Sequence, residues 1–119
     1  MLTEHDLNSV WKPLVGPVRD FPIAYCDPRT LDWDRDLVLY DDGSSGRVCE
    51  VYQILHNPQQ RWYYLPDQQA TEAVVFNGYD SQSHQHRAVA HTAFPISLAK
   101  SVPPRQSIEI RAFVFFDEM

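Results

Sequence analysis

Ser107-Ile108-Glu109-Ile110-Arg111-Ala112-Phe113-Val114-Phe115-Phe116 is the stretch that decides the fold. Ile108, Ile110, Ala112 and Val114 fall on one side, and Ser107, Glu109 and Arg111 on the other. Phe113 and Phe115 then make both sides apolar. A period of two is the signature of a strand, whose successive side chains point to opposite faces. Working outward, Ala88 to Phe94 and Val74 to Tyr79 read as further strands, with His84 to Arg87 as a loop. Asp67 to Ala73 suits one short helical turn, capped by Asp67 or Thr71. Arg61 to Leu65 follows the turn Asn57-Pro58-Gln59-Gln60. Residues 36 to 41 and 48 to 55 flank Asp41-Asp42-Gly43-Ser44-Ser45-Gly46, which predicts a hairpin. Pro13, Pro17, Pro22 and Pro28 exclude a long helix between residues 10 and 30, which should run as extended segments joined by turns. The expectation is a mainly β sandwich or barrel with one or two short helical turns.

The chain has 119 residues, enough for one domain over 1–119 and too few for two. Hydrophobic residues make up 44%, which points to a globular chain rather than a disordered one. A net charge of -6 and scattered basic residues argue against a nucleic-acid face or an anionic membrane surface as partner. No apolar stretch approaches the length of a membrane span, and Met1 to Asp6 is too polar for a secretory signal. A cytoplasmic protein is expected. Cys26 and Cys49 lack metal-type spacing and read as two free thiols, with one disulfide as the alternative.

The histidines supply the first candidate chemistry. His84 and His86 form an H-x-H pair, which holds one metal when both lie on one strand face. Their Gln- and Ser-rich surroundings suit a solvated loop equally. His91 lies inside the apolar run Ala90 to Phe94, where it is either a satisfied core histidine or a ligand or general base. Arg105 and Ser107 stand two positions apart at the head of the last strand. Arginine offers a bidentate fork and serine a further donor, so the pair suits a carboxylate clamp. An ion pair with one of the many acidic residues is the ordinary alternative for Arg105. Tyr79 and Asp80 end a strand and would bring a phenol and a carboxylate to a pocket, or simply form a turn. Trp62 and Tyr64 are the aromatic substrate-binding candidates, although such residues more often fill cores.

Several blocks together resemble a known family. Trp11-Lys12-Pro13-Leu14, Gly16-Pro17-Val18 and Asp20-Phe21-Pro22-Ile23-Ala24, closing on Cys26-Asp27, are similar to the opening signature of AsaB/CmcJ-type hydroxylase/desaturases. Arg61 to Asp67, Phe76 with Tyr79-Asp80-Ser81, and His91 to Phe94 with Arg105 to Ala112 follow in the same order. The family is common in fungal secondary metabolism. The resemblance implies an Fe(II)- and 2-oxoglutarate-dependent oxygenase scaffold, a partial double-stranded β-helix of the jelly-roll or cupin kind. It also implies that His91 matches the distal iron ligand and that Arg105 and Ser107 match the grip on 2-oxoglutarate. The family's other two ligands form an H-x-D motif upstream of the tryptophan block, and this sequence shows only the adjacent His5-Asp6. Asn77 replaces a usual lysine and Gln68 an apolar residue.

These readings give three expectations. The first is a small-molecule tailoring enzyme of secondary metabolism that needs no cofactor. It would carry out a metal-free cyclisation or isomerisation, with His91 as acid/base and Arg105 orienting the substrate. The second is a genuine Fe(II)/2-oxoglutarate oxygenase, its ligands completed by His84 and His86 or by another chain. The third is a non-catalytic binding or assembly subunit. A truncated β-helix would leave sheet edges and one apolar face uncovered, so a homodimer is expected.

Overall fold

A computed structural model describes residues 4–43, 46, 48–82, 88–96 and 102–116. The described residues form eight strands in three antiparallel sheets. In the first sheet β1 (Glu4–Pro13) lies between β6 (Val74–Asp80) and β8 (Ser107–Phe116). In the second, β2 (Ile23–Cys26) lies between β5 (Trp62–Tyr64) and β7 (His91–Ala93). The third is the hairpin of β3 (Leu37–Asp42) and β4 (Cys49–Ile54). Jelly-roll architectures are built from such short antiparallel strands, and the fold class expected from the sequence is the one observed.

Pairing across β1 sets the faces of the first sheet. Ser9 stands opposite Phe76 and Arg111, and Trp11 opposite Val74 and Glu109. Ser9, Trp11, Pro13 and Phe76 are buried on this side. The second sheet lies against it, with the Tyr25 ring 5.2 Å from that of Phe76. The face of β8 that carries Ser107, Glu109 and Arg111 is therefore on the side of the second sheet, although Glu109 and Arg111 themselves remain exposed. Its apolar opposite, with Val10, Val75, Ile108 and Ile110, stays exposed.

Two features differ from the sequence expectations. Asp67 to Ala73 forms no helical turn: Asp67 adopts φ 50° and Glu72 closes a turn on Gln69 instead. The one helical turn among the described residues is a 3-10 turn at Pro28–Thr30, where Asp27 accepts from the Arg29 amide at 3.0 Å. β1 is a full ten-residue strand at the centre of its sheet, although its polar composition gives it no clean alternation. Cys26 is buried, Cys49 is exposed, and both are free thiols.

Gly16 sits where the chain leaves β1 and crosses the 68–70 turn. A Cβ there would lie 2.8 Å from the Gln69 Cα and 2.9 Å from the Ala70 nitrogen. The cross-over is sealed by the Val18 amide, which donates to the Gln68 carbonyl at 3.0 Å. Asp36 organises the other loop cluster, accepting from Asn57 at 3.0 Å and Gln60 at 2.9 Å.

Candidate functional site

His91 lies where the chain steps from one sheet to the other. The Val89 amide donates to Asn77 of β6, and the Cys26 amide of β2 donates to Ala90. His91 then opens β7, directly opposite Tyr25. Its Nδ1 lies 2.9 Å from the Val89 carbonyl. A carbonyl only accepts, so Nδ1 carries the proton and Nε2 keeps its lone pair. The ring packs 4.6 Å from Phe76 and stacks at 6.3 Å on Tyr25. Aromatic neighbours and a fixed tautomer together hold one basic nitrogen in a set direction.

Two cavities meet at His91. One, of about 200 Å³, runs toward Leu31, Trp33 and Leu37. The other, of about 530 Å³, is bounded by the Tyr52–His56 end of the hairpin, Gln60, Trp62 and Thr92. Trp62 donates its Nε1 to Gln60 at 3.3 Å, which fixes the indole at this wall.

Arg105 approaches from the other end. Its amide donates to Asp20 Oδ2 at 2.7 Å, its Nη1 donates to the Phe21 carbonyl at 2.6 Å, and its guanidinium lies 5.4 Å from the centre of the Trp11 ring. No carboxylate among the described residues forms an ion pair with it. The guanidinium is thus positioned by a backbone carbonyl and an aromatic face, with the Asp20 carboxylate close enough to feel its charge but not in an ion pair with it. Burial opposes ionisation of Asp20, but backbone amides and the Arg105 charge hold its carboxyl below the ordinary value.

Tyr25 and Glu109 complete the neighbourhood. Burial, with the Glu109 charge adding, pushes the Tyr25 phenol up to about 12, against the pull of Arg105. The group therefore keeps its proton at neutral pH. Its hydroxyl is buried and makes no hydrogen bond to the described residues. For Glu109 burial raises the pKa, but hydrogen bonds from Arg111 and Ser9 and the Arg111 charge outweigh it, and the carboxyl is lowered overall. Arg111 donates to it at 3.0 Å.

The candidates chosen from sequence separate into groups. His91 and Trp62 line one cavity, and Arg105 lies just before Ser107, which opens β8 opposite Pro13. Tyr79 and Asp80 are not brought to His91. β6 continues through them, carrying Tyr79 about 10 Å beyond Phe76 at the usual rise per residue. There Tyr79 packs 5.7 Å from His5, and Asp80 caps a turn by accepting from the Gln82 amide. Tyr64 packs edge-on against Phe94 at 5.1 Å, a packing contact. His84 and His86 lie outside the described residues. Among the described residues no three His, Cys, Asp or Glu side chains group to hold a metal ion. Tyr25 and Glu109 were missed in the sequence. Tyr25 lies inside the Ile23 to Asp27 block, between the buried Ala24 and Cys26, and period two alone turns it to the opposite face.

Comparison with known proteins supplies the lineage. The sequence pattern described as the oxidoreductase/YMDC permease-like domain matches residues 4–115. No helix among the described residues is long and apolar enough to cross a membrane. The chain is 38% identical over 110 residues to the Fe(II)/2-oxoglutarate-dependent dioxygenase nvfI of Aspergillus novofumigatus, covering 90% of this chain and 39% of that protein. It is 30% identical over 132 residues to the hydroxylase/desaturase asaB of Aspergillus flavus, covering 98% of this chain and 57% of that protein. The solved iron and alpha-ketoglutarate-dependent endoperoxidase NvfI superposes with a TM-score of 0.82 at 35% identity, over 95% of this chain and 43% of that one. The chain spans about half the length, or less, of these relatives. By these matches the chain belongs to the oxidoreductase/YMDC permease-like domain family, and its relatives are fungal Fe(II)/2-oxoglutarate-dependent dioxygenases and hydroxylase/desaturases.

Proposed function

We propose that this chain forms the 2-oxoglutarate-binding part of a small-molecule tailoring oxygenase of secondary metabolism. Arg105 and Ser107 bind the distal carboxylate of 2-oxoglutarate, and His91 supplies one ligand to Fe(II). The observation that carries the reading is the state of Arg105: fixed by Phe21 and Trp11, yet in no direct ion pair among the described residues. A guanidinium held in place with no direct ion pair is prepared for a carboxylate. The donor set fits 2-oxoglutarate at this end. At the other, the Nδ1–Val89 bond directs the His91 Nε2 lone pair outward, as a metal-bound imidazole requires. The described residues give iron this one ligand, so the rest of its coordination lies beyond them. Bound iron and 2-oxoglutarate would supply oxidative chemistry on the substrate. This chain's part is to anchor the carboxylate, fix the imidazole and wall the cavity with Trp62 and the hairpin.

A second reading rests on the same histidine. With Nδ1 committed to Val89, Nε2 is also a ready proton acceptor, which suits a metal-free cyclisation or isomerisation with Arg105 orienting a carbonyl or enolate. The proposal also includes a homodimer. The exposed face of Val10, Val75, Ile108 and Ile110 favours pairing, and a monomer at micromolar concentration in sedimentation overturns that part.

Native mass spectrometry under anaerobic conditions tests the main reading. The wild type should take up Fe(II) and 2-oxoglutarate, H91A should lose the metal, and R105A should lose the 2-oxoglutarate. A wild type that ignores both overturns the oxygenase reading and favours proton-transfer chemistry or a binding subunit.

A further inference from the structure

The two cavities that meet at His91 share two further wall residues, Tyr52 and Ile54 of β4. Both come from the β3–β4 hairpin, which pairs with no other strand among the described residues. An isolated two-stranded sheet is marginal in water unless something covers it. Its pairing sets Leu37 opposite Ile54 and Leu39 opposite Tyr52, so these four side chains share one face. Leu37 and Ile54 are partly covered, whereas Leu39 is exposed and Tyr52 is 57% exposed. A tyrosine that divides two cavities and is still more than half exposed has contact surface left for a ligand. The walls indicate which kind. Among the described residues neither lining includes a Lys, Arg, Asp or Glu, and Arg105 lies outside both. Asp36 bonds to the wall residue Gln60 but is itself buried, accepting from the Asp32 amide at 3.0 Å, from Asn57 at 3.0 Å and from Gln60 at 2.9 Å. Gln60 spends its other N–H on the Leu55 carbonyl at 2.9 Å and accepts from Trp62, so both ends of its amide are engaged. A charged group here would lose its water with no counter-charge to replace it, whereas apolar surface would cover Tyr52, Ile54 and Trp62.

We propose that the joined cavities are the substrate site, that the substrate is an uncharged, mainly apolar molecule lying across both, and that Tyr52 is the residue that selects it. This rests on the oxygenase reading for the role of His91 and names the substrate class of that site. The smaller cavity, about 200 Å³, takes an apolar ring or chain end beside Leu31 and Trp33. The larger, about 530 Å³, holds the remainder against Trp62. Space of this order is usual for a small-molecule site. Tyr52 stands on the boundary, so its side chain sets how much of a ligand passes from one cavity to the other. A bound ligand also covers the exposed Leu39–Tyr52 pair and gives the hairpin the packing that it lacks.

The probe is N-phenyl-1-naphthylamine, an uncharged fluorescent dye, titrated into the full chain with and without Mn(II) and 2-oxoglutarate, oxygen being absent. The control is 8-anilino-1-naphthalenesulfonate, the same skeleton with one sulfonate, in salt concentrated enough to screen the net charge of -6. The neutral dye should bind at least about 10-fold more tightly than the sulfonate. Tyr52→Ala should weaken the neutral dye by about 10-fold. Tyr40→Ala, on the opposite face of the same hairpin, should leave its binding unchanged. Equal losses in both variants mean that the hairpin is merely loosened, and they overturn the Tyr52 assignment, as does a Tyr52→Ala variant that binds as tightly as wild type or more so. Tighter binding of the sulfonate overturns the uncharged class. A wild type that takes up metal and 2-oxoglutarate but not the neutral dye overturns this proposal and leaves the oxygenase reading standing. Tyr52-dependent binding of the neutral dye by a chain that takes up neither metal nor 2-oxoglutarate removes the oxygenase reading and supports the apolar site. A dimer in sedimentation that Tyr52→Ala dissolves places a second copy on this face and overturns the proposal.

Discussion

Arg105→Lys separates charge from shape. Lysine keeps the positive charge and loses the planar fork. In the folded chain the guanidinium donates to the Phe21 carbonyl at 2.6 Å and covers the Trp11 ring at 5.4 Å. Losing that hydrogen bond costs about 1 kcal/mol, and weakening the cation–aromatic contact adds about 0.5 kcal/mol. The sum, about 1–2 kcal/mol, lowers the melting temperature by about 4–8 °C at this chain length. The bond from the Arg105 amide to Asp20 involves the backbone and survives, so the loop before β8 keeps its course. Binding should suffer more. Replacing a two-point, charge-assisted grip by a single donor costs about 1.5–3 kcal/mol, or roughly 10- to 150-fold in affinity. Calorimetric titration with 2-oxoglutarate, beside thermal unfolding of the free protein, reads the two effects separately. If affinity stays within twofold of wild type while the melting temperature falls as expected, Arg105 is a structural residue and the clamp reasoning is refuted.

Other substitutions test the scaffold. Phe76→Ala removes the ring that Tyr25 and His91 both pack on, and urea unfolding should show a loss of about 3–5 kcal/mol. Gly16→Ala drives a methyl group against the backbone of Gln69 and Ala70, which cannot retreat like a side chain, and should cost about 1–3 kcal/mol in the same assay. Asp27 is held down at about 2 from an ordinary 3.8, first by the Arg29 side chain and then by its amide. A depressed carboxyl adds stability that is complete above its unfolded pKa and is lost as pH falls through the folded one. Asp27→Asn should therefore flatten the slope of stability between about pH 4 and about pH 2, as measured by circular dichroism, and leave a steeper region unchanged if other carboxylates dominate it.

Much of the fold was legible in the sequence because a strand writes its period into the residues. β8, β6 and the β3–β4 hairpin all lie where alternation, aromatic content and turn residues place them. β1 escaped because a central strand with Ser9 on its buried face and Val10 on its exposed one does not look amphipathic. The turn at 67–73 escaped because local capping signals lost to a tertiary hydrogen bond, Val18 to Gln68, which draws that segment across Gly16.

The site divides in the same way. Sequence alone marked His91, Arg105 and Ser107, because a histidine in an apolar run and an Arg-x-Ser strand head are chemically conspicuous. It also determined the lineage, since ordered blocks survive when single positions drift. Only the tertiary structure decided which residues stand together. Tyr79 and Asp80 follow β6 away from His91, while Tyr25, more than sixty positions earlier in the chain, is its direct neighbour. Only the packed sheets could show that β8 sets its polar face on the side of the second sheet. Period two tells a strand that it has two faces, but which face is buried depends on where the second sheet lies.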